Sequence, residues 1–166
     1  MGDMHFKMAR MSGVESDAWM GLVAVCELLP AALDRGLQQD VGLTHFEFST
    51  LSALQLSSGS VMRMTALAEA TDSTLPRLSH VCARLEARGL LSRQRANDDR
   101  RATDVQLTSA GRRLLIAALP DHLATARRLV LDALDESELL VLSEVTQKIL
   151  ERMGSPRAYN ADRIDE

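Results

Sequence analysis

Four side chains between positions 77 and 84 are spaced to meet an anionic, groove-shaped partner: Arg77, Ser79, His80 and Arg84. Leu78, Val81, Cys82 and Leu85 fall at i, i+3, i+4, i+7, which predicts a helix with that stripe buried. Pro76, Ser79, His80 and Ala83 then lie on the opposite face, with Arg77 and Arg84 on its borders. Small side chains at Ser79 and Ala83 let a helix sit deep in a DNA major groove, where the flanking guanidiniums reach guanine edges or phosphates. A second basic group follows at Arg93, Arg95, Arg100 and Arg101. Arginine suits the narrow, electronegative minor groove, and Asp98 or Asp99 can orient a neighbouring guanidinium by a charge-assisted hydrogen bond.

Catalytic chemistry has no comparable footing. There is no phosphate-cradling glycine motif and no Gly-x-Ser-x-Gly elbow. His5, His45, His80 and His122 are scattered, without a metal-ligand spacing. The chain reads as a non-enzyme without a cofactor. Cys26 and Cys82 lie far apart in apolar helical patterns and read as packed thiols.

Charge supports the anionic partner once the chain is divided. The net charge is −4, yet residues 60–113 hold ten Arg, no Lys and six acids, a net of +4, against −8 for the remainder. A basic middle between acidic ends is the footprint of a local anion-binding patch. Aromatic residues make up 3% of the chain, which argues against RNA binding through base-stacking platforms. No uninterrupted apolar run reaches the ~18 residues that cross a bilayer, and the first ten residues lack a signal-peptide core. A cytoplasmic protein with no membrane partner is expected.

The elements that must hold these residues can be read along the chain. Helical spacing of Trp19, Leu22, Val23, Cys26, Leu29, Leu33 and Leu37 predicts a first helix from about Asp17 to Gln39, kinked at Pro30. Thr44 and Glu47 form a capping box, with Leu43 stapled to Phe48, opening a helix to about Leu56. A short helix after Thr65 turns inward at Leu67 and Ala68, breaks at residues 71–73, and is followed by the helix from Thr74 to Gly89. Two short helices across a tight turn make a helix-turn-helix. Residues 91–95 and 103–107 are short extended runs around a polar turn, a hairpin of two strands. Thr108 caps a long helix to about Ala133, with a second kink at Pro120, and Asp135 with Glu138 opens a last helix to about Arg152. The expected fold class is mainly α: a winged helix-turn-helix with a two-stranded wing and dimerising terminal helices. The organisation is a flexible start (1–14), a dimerisation helix (15–43), a DNA-binding lobe (44–108), further dimerisation helices (109–153) and a loose tail (154–166).

Over about residues 17–152 the sequence resembles the MarR family of bacterial transcription regulators. The resemblance is carried by the run Arg84-Leu85-Glu86-Ala87-Arg88-Gly89-Leu90-Leu91, then Asp99-Arg100-Arg101-Ala102, then Leu107-Thr108-Ser109-Ala110-Gly111, with Met64-Thr65-Ala66-Leu67-Ala68 upstream. It implies a homodimer binding double-stranded DNA at pseudo-palindromic operators, in the role of a repressor. Asp99 and Arg101 would be the wing-tip pair, with Arg101 entering the minor groove. Ser73, Thr74, Arg77, Ser79 and His80 would face DNA from the recognition helix.

Family members that sense oxidants do so through a first-helix cysteine, and that position falls nearer Met20 than Cys26. Metal-binding members use a ligand cluster near the second helix, of which only His45 and Glu47 are present. Many members bind aromatic acids or lipophilic phenols between the dimer helices and the DNA-binding lobe. Trp19, Arg35, His45 and Phe48 would line such a site for a small aromatic or lipophilic effector. The alternative reading is a winged-helix dimer acting mainly as a protein-interaction module.

Overall fold

The computed structural model describes residues 11–96, 99 and 101–155. Helix α1 (Gly13–Val41) starts four residues before the expected point, because Ser12 and Glu15 form a reciprocal capping box. The predicted flexible start is therefore helical from Gly13. Gly42, at φ 67°, takes the left-handed conformation that ends α1, and its amide donates to Gln38 and Leu37 carbonyls. Helix α1 runs on through Pro30 without interruption.

Helix α2 (His45–Leu56) carries the Thr44–Glu47 capping box as the sequence predicts. After a 3-10 turn at Ser58–Ser60 come strand β1 (Val61–Arg63) and helix α3 (Met64–Ala70). Asp72, at φ 47°, makes the tight turn into α4 (Leu75–Ala87). Strands β2 (Leu91–Arg95) and β3 (Thr103–Leu107) have the predicted bounds. The sheet has three strands rather than two, in the antiparallel order β1-β3-β2. Val61 pairs with Gln106 and Arg63 with Asp104, where the two side chains also form a 3.0 Å ion pair.

Helix α5 (Ser109–Leu129) is capped by Thr108 and passes through Pro120. It stops four residues short of the expected end, because Val130 leaves helical geometry (φ −132°, ψ −59°) and a 3-10 turn follows at Leu131–Ala133. Helix α6 (Glu136–Arg152) opens on the Asp135–Glu138 capping box.

The core lies inside the lobe made by α2, α3, α4 and the sheet, closed by the end of α1 and the start of α5. Leu43, Leu51, Leu54, Leu67, Leu78, Leu85 and Val105 are fully buried there. Each such side chain contributes about 1.5–3 kcal/mol relative to exposure.

The terminal helices are built differently. Of the 29 residues of α1 only Leu33 and Leu37 are buried, and α6 buries none. Trp19, Met20, Val25 and Leu28 on α1, and Leu140, Val141, Val145 and Ile149 on α6, are left exposed. Contrary to the sequence expectation, α1 is long and apolar enough to cross a membrane, with a mean hydropathy of 1.4 in its most apolar window. No uninterrupted apolar run shows this, because Glu27 splits an otherwise apolar stretch.

Candidate nucleic-acid interface

Helix α4 is held by its buried stripe. Leu78, Val81, Cys82 and Leu85 all point into the core, as the periodicity predicts. Its first turn contains Pro76, whose missing amide costs nothing there. Thr74 occupies the cap position without a side-chain bond to the helix. The outward surface is therefore Thr74, Pro76, Arg77, Ser79, His80, Ala83 and Arg84, all exposed, with Ser73 half-buried beside them.

Both border arginines have partners on α2. The Arg77 guanidinium lies 4.4 Å from the centroid of the Phe46 ring, a cation–π contact that fixes its direction. An Arg84 terminal nitrogen is 3.1 Å from Glu47 Oε1, while Glu47 Oε2 accepts the Thr44 amide. The buried Glu47 carboxylate thus serves the cap of α2 and the aim of Arg84 together. Arg84 stays well exposed, so its remaining donors face outward.

Arg88, named above only within the run that carries the family resemblance, has a role that the sequence does not signal. It donates to the Gly42 and Val41 carbonyls at 2.8 and 3.2 Å. Those carbonyls end α1 and lack intrahelical partners, so a guanidinium there satisfies acceptors and meets the negative end of the helix dipole. Its partner is 46 positions away, and no local pattern signals it.

One of the wing arginines expected to face DNA is engaged within the protein. Arg93 is committed to Glu86: its Nε and a terminal nitrogen donate to Oε2 at 2.9 and 2.7 Å, and its amide donates to Oε1 at 2.8 Å. This two-sided tie clamps β2 to the end of α4 and holds the Glu86 carboxyl below the usual carboxylate range, chiefly through the Arg93 side-chain hydrogen bond. Arg95, two residues on, is exposed. At the tip, Asp99 and Arg101 are both exposed. Asp99 Oδ1 accepts the Arg101 backbone amide at 2.9 Å, so it shapes the turn that carries the guanidinium. Asn97, Asp98 and Arg100 lie outside the described residues.

The expected effector residues do not converge. A cleft of about 520 Å³ opens between α1, α2 and α4, with Asp34, His45, Phe46, Arg77, His80 and Arg84 on its walls. Of the four candidates only His45 lines it. Phe48 is 5% exposed and belongs to the core, because the staple that starts α2 turns it inward; its ring packs 4.4 Å from that of His122. Arg35 lines a separate 240 Å³ recess between α1 and α5. Trp19 stands half-exposed on the uncovered part of α1, away from either space. Among the described residues no three His, Cys, Asp or Glu gather into a metal-holding group.

The sequence profile of the MarR family matches residues 41–102, the stretch from the end of α1 to the wing. The transcriptional regulator HosA of Escherichia coli O157:H7 is 33% identical over 107 residues, covering 64% of this chain and 71% of that protein. The transcriptional repressor MprA of Escherichia coli K12 is 28% identical over 112 residues, 68% of this chain and 63% of its own length. Among solved structures, Sco3205, a MarR family transcriptional regulator from Streptomyces coelicolor in complex with DNA, superposes with a TM-score of 0.81. It is 33% identical, and the match covers 85% of this chain and 88% of that one.

Proposed function

The chain belongs to the MarR family of transcriptional regulators, DNA-binding proteins of winged-helix build, and from that premise we propose that it is an effector-responsive repressor that grips a pseudo-palindromic operator as a homodimer. The observation that carries the DNA-binding part is the outward surface of α4, small at its centre and flanked by two arginines aimed by Phe46 and Glu47. Ser73, Thr74, Arg77, Ser79, His80 and Arg84 meet the major groove. Arg95, Arg100 and Arg101 follow the backbone and minor groove from the wing, with Asp99 shaping the tip. Arg93 has a structural part only, through Glu86.

Homodimerisation is supported by α1 and α6, whose exposed Leu, Val, Ile and Trp side chains find no cover among the described residues of one protomer. Response to an effector is supported by the cleft, because three of its wall residues, Arg77, His80 and Arg84, also face DNA. An anionic aromatic occupant would draw both guanidiniums inward and weaken the grip on phosphate and base edges.

The test is selection of bound sequences from a random duplex library, followed by affinity measurements at fixed salt. Arg77→Ala or Arg84→Ala should relax preference at one position in each half-site, since a bidentate base contact is worth about 1–3 kcal/mol of discrimination. Arg101→Ala should weaken binding with little change in preference, because the minor groove distinguishes base pairs poorly. Asp99→Ala should copy part of the Arg101→Ala loss. Affinity unchanged in Arg101→Ala would remove the wing from the mechanism, and no sequence preference at all would favour a protein-interaction module.

A further inference from the structure

We propose that Leu75 is a specificity-determining residue that recognises thymine through its 5-methyl group in the major groove. The inference rests on the operator-binding reading above and adds a contact that reads sequence without a hydrogen bond.

Leu75 is the first residue of α4 and is 45% exposed. It stands at i, i+3 and i+7 with the buried Leu78 and Cys82, on the leading edge of that stripe, yet it is not itself among the buried residues. A single exposed leucine is unremarkable on an arbitrary surface. Leu75 differs in its placement, at the leading turn of the helix whose outward face would enter the groove, where first-turn residues meet base edges.

Helix geometry also separates it from the arginines. At 100° per residue, Leu75 and Ser79 share one flank, one turn apart, while Arg77 and Arg84 share the other. The arginine flank is the one tied to Phe46 and Glu47 on α2. The leading turn holds no acidic residue, and its cap Thr74 makes no side-chain bond. Nothing charged in that turn opposes approach to phosphate, so the isobutyl group can be carried to the groove floor.

The major-groove edges of adenine, guanine and cytosine present hydrogen-bonding groups, and thymine adds a methyl. That methyl is the apolar feature a leucine can cover. Burying Leu75 against it removes both from water, whereas any other base there leaves the isobutyl group against a polar edge.

Uracil is thymine without the methyl group and keeps the same hydrogen-bonding edge, so it isolates the contact. Each thymine of the selected operator is replaced by uracil, symmetrically in both half-sites, and affinity is measured for the wild-type protein and for Leu75→Ala. One uracil pair is expected to cost the wild type about ten- to fifteenfold, from a methyl group lost twice per palindrome. Leu75→Ala should bind the thymine and uracil operators equally at that position. A wild type that selects an operator yet binds every uracil version as well as the original overturns the methyl contact and leaves operator binding intact. A uracil penalty that persists undiminished in Leu75→Ala overturns it too, assigning the methyl to another side chain. A protein that selects no sequence overturns both readings together.

Discussion

Cys82 sits fully buried on the inner stripe of α4, and its thiol is pushed up to about 11, mainly by burial, with Arg93 opposing and Glu86 adding to the rise. A thiol so far above neutrality holds almost no thiolate, the reactive form. In the native protein Cys82 should therefore resist an aromatic disulfide reagent at pH 8 and react only after unfolding in urea. Peroxide should affect DNA affinity no differently in wild type and in a Cys26→Ser, Cys82→Ala variant. Labelling of native Cys82 at the rate of a free thiol would contradict this. His122 gives the residue scale a pH dependence. Its ring is half-buried on α5 between Phe48 and His45 of α2, with centroids 4.4 and 5.7 Å away. Burial first, and His45 second, hold its pKa below the usual histidine value. Below that usual value the unfolded chain takes up a proton that the folded chain resists, so folding stability falls as pH drops from about 6.5 through the lowered folded pKa. His122→Phe keeps a ring against Phe48 and removes the titration. The decline in melting temperature between pH 7.5 and 5.5 should be shallower in the variant, and an equal decline in both would place the titrating group elsewhere.

The join between wing and α5 depends on one missing side chain. A Cβ at Gly111 would stand 2.0 Å from the Leu90 carbonyl oxygen and 2.8 Å from Leu107 Cδ1. The Gly111 amide also donates to Thr108 Oγ1 at 3.0 Å, and that hydroxyl donates to the Gly89 carbonyl at 2.7 Å. Gly111→Ala must push α5 off the sheet, at a cost of about 1–3 kcal/mol or more from overpacking. Thr108→Ala should cost about 1 kcal/mol as a lost cap. Urea titrations of both variants check the order, and Gly111→Ala as stable as wild type would refute the close approach. Where such local chemistry governs an element, the sequence is legible. The Thr44–Glu47 and Asp135–Glu138 boxes, the α4 stripe and the bounds of β2 and β3 all follow from neighbours within a few positions. The Ser12–Glu15 box has the same signature, but the low helix preference of Gly13 and Val14 hides the start behind it. Strand β1 was not legible: three residues with no alternation become a strand only because β3, more than 40 positions later, offers its edge. The same limit applies to the site. The outward face of α4 follows from period 3.6, whereas the Glu86–Arg93 clamp, the Phe46 seat under Arg77 and the inward turn of Phe48 depend on how elements meet.

At the scale of the whole molecule, α1 and α6 have not yet found the surface that their side chains require. A 17-residue helix with no fully buried residue among the described residues gains little from tertiary packing, the usual source of helical stability in proteins. A second copy, supplying its own α1 and α6, is the cover argued above, and Val145 and Ile149 on α6 are among the side chains it would enclose. Val145→Asp places a charge there, and burial of an unpaired charge opposes association strongly. Wild type should sediment at twice the 18.2 kDa of the chain, and Val145→Asp as a monomer or a weakened dimer. DNA binding then reports whether the dimer is the working unit. Affinity for duplex DNA falls with salt at a log–log slope of about −0.9 per phosphate neutralised. A dimer presents Arg77, Arg84, Arg95 and Arg101 twice, so its slope on an intact palindrome should be close to double its slope on a single half-site. Val145→Asp, with its recognition helix and wing untouched, should show the half-site slope on both duplexes and lose the preference for the palindrome. Equal slopes for the wild type on half-site and palindrome would mean that one lobe does the binding, and the apolar faces of α1 and α6 would then need another occupant.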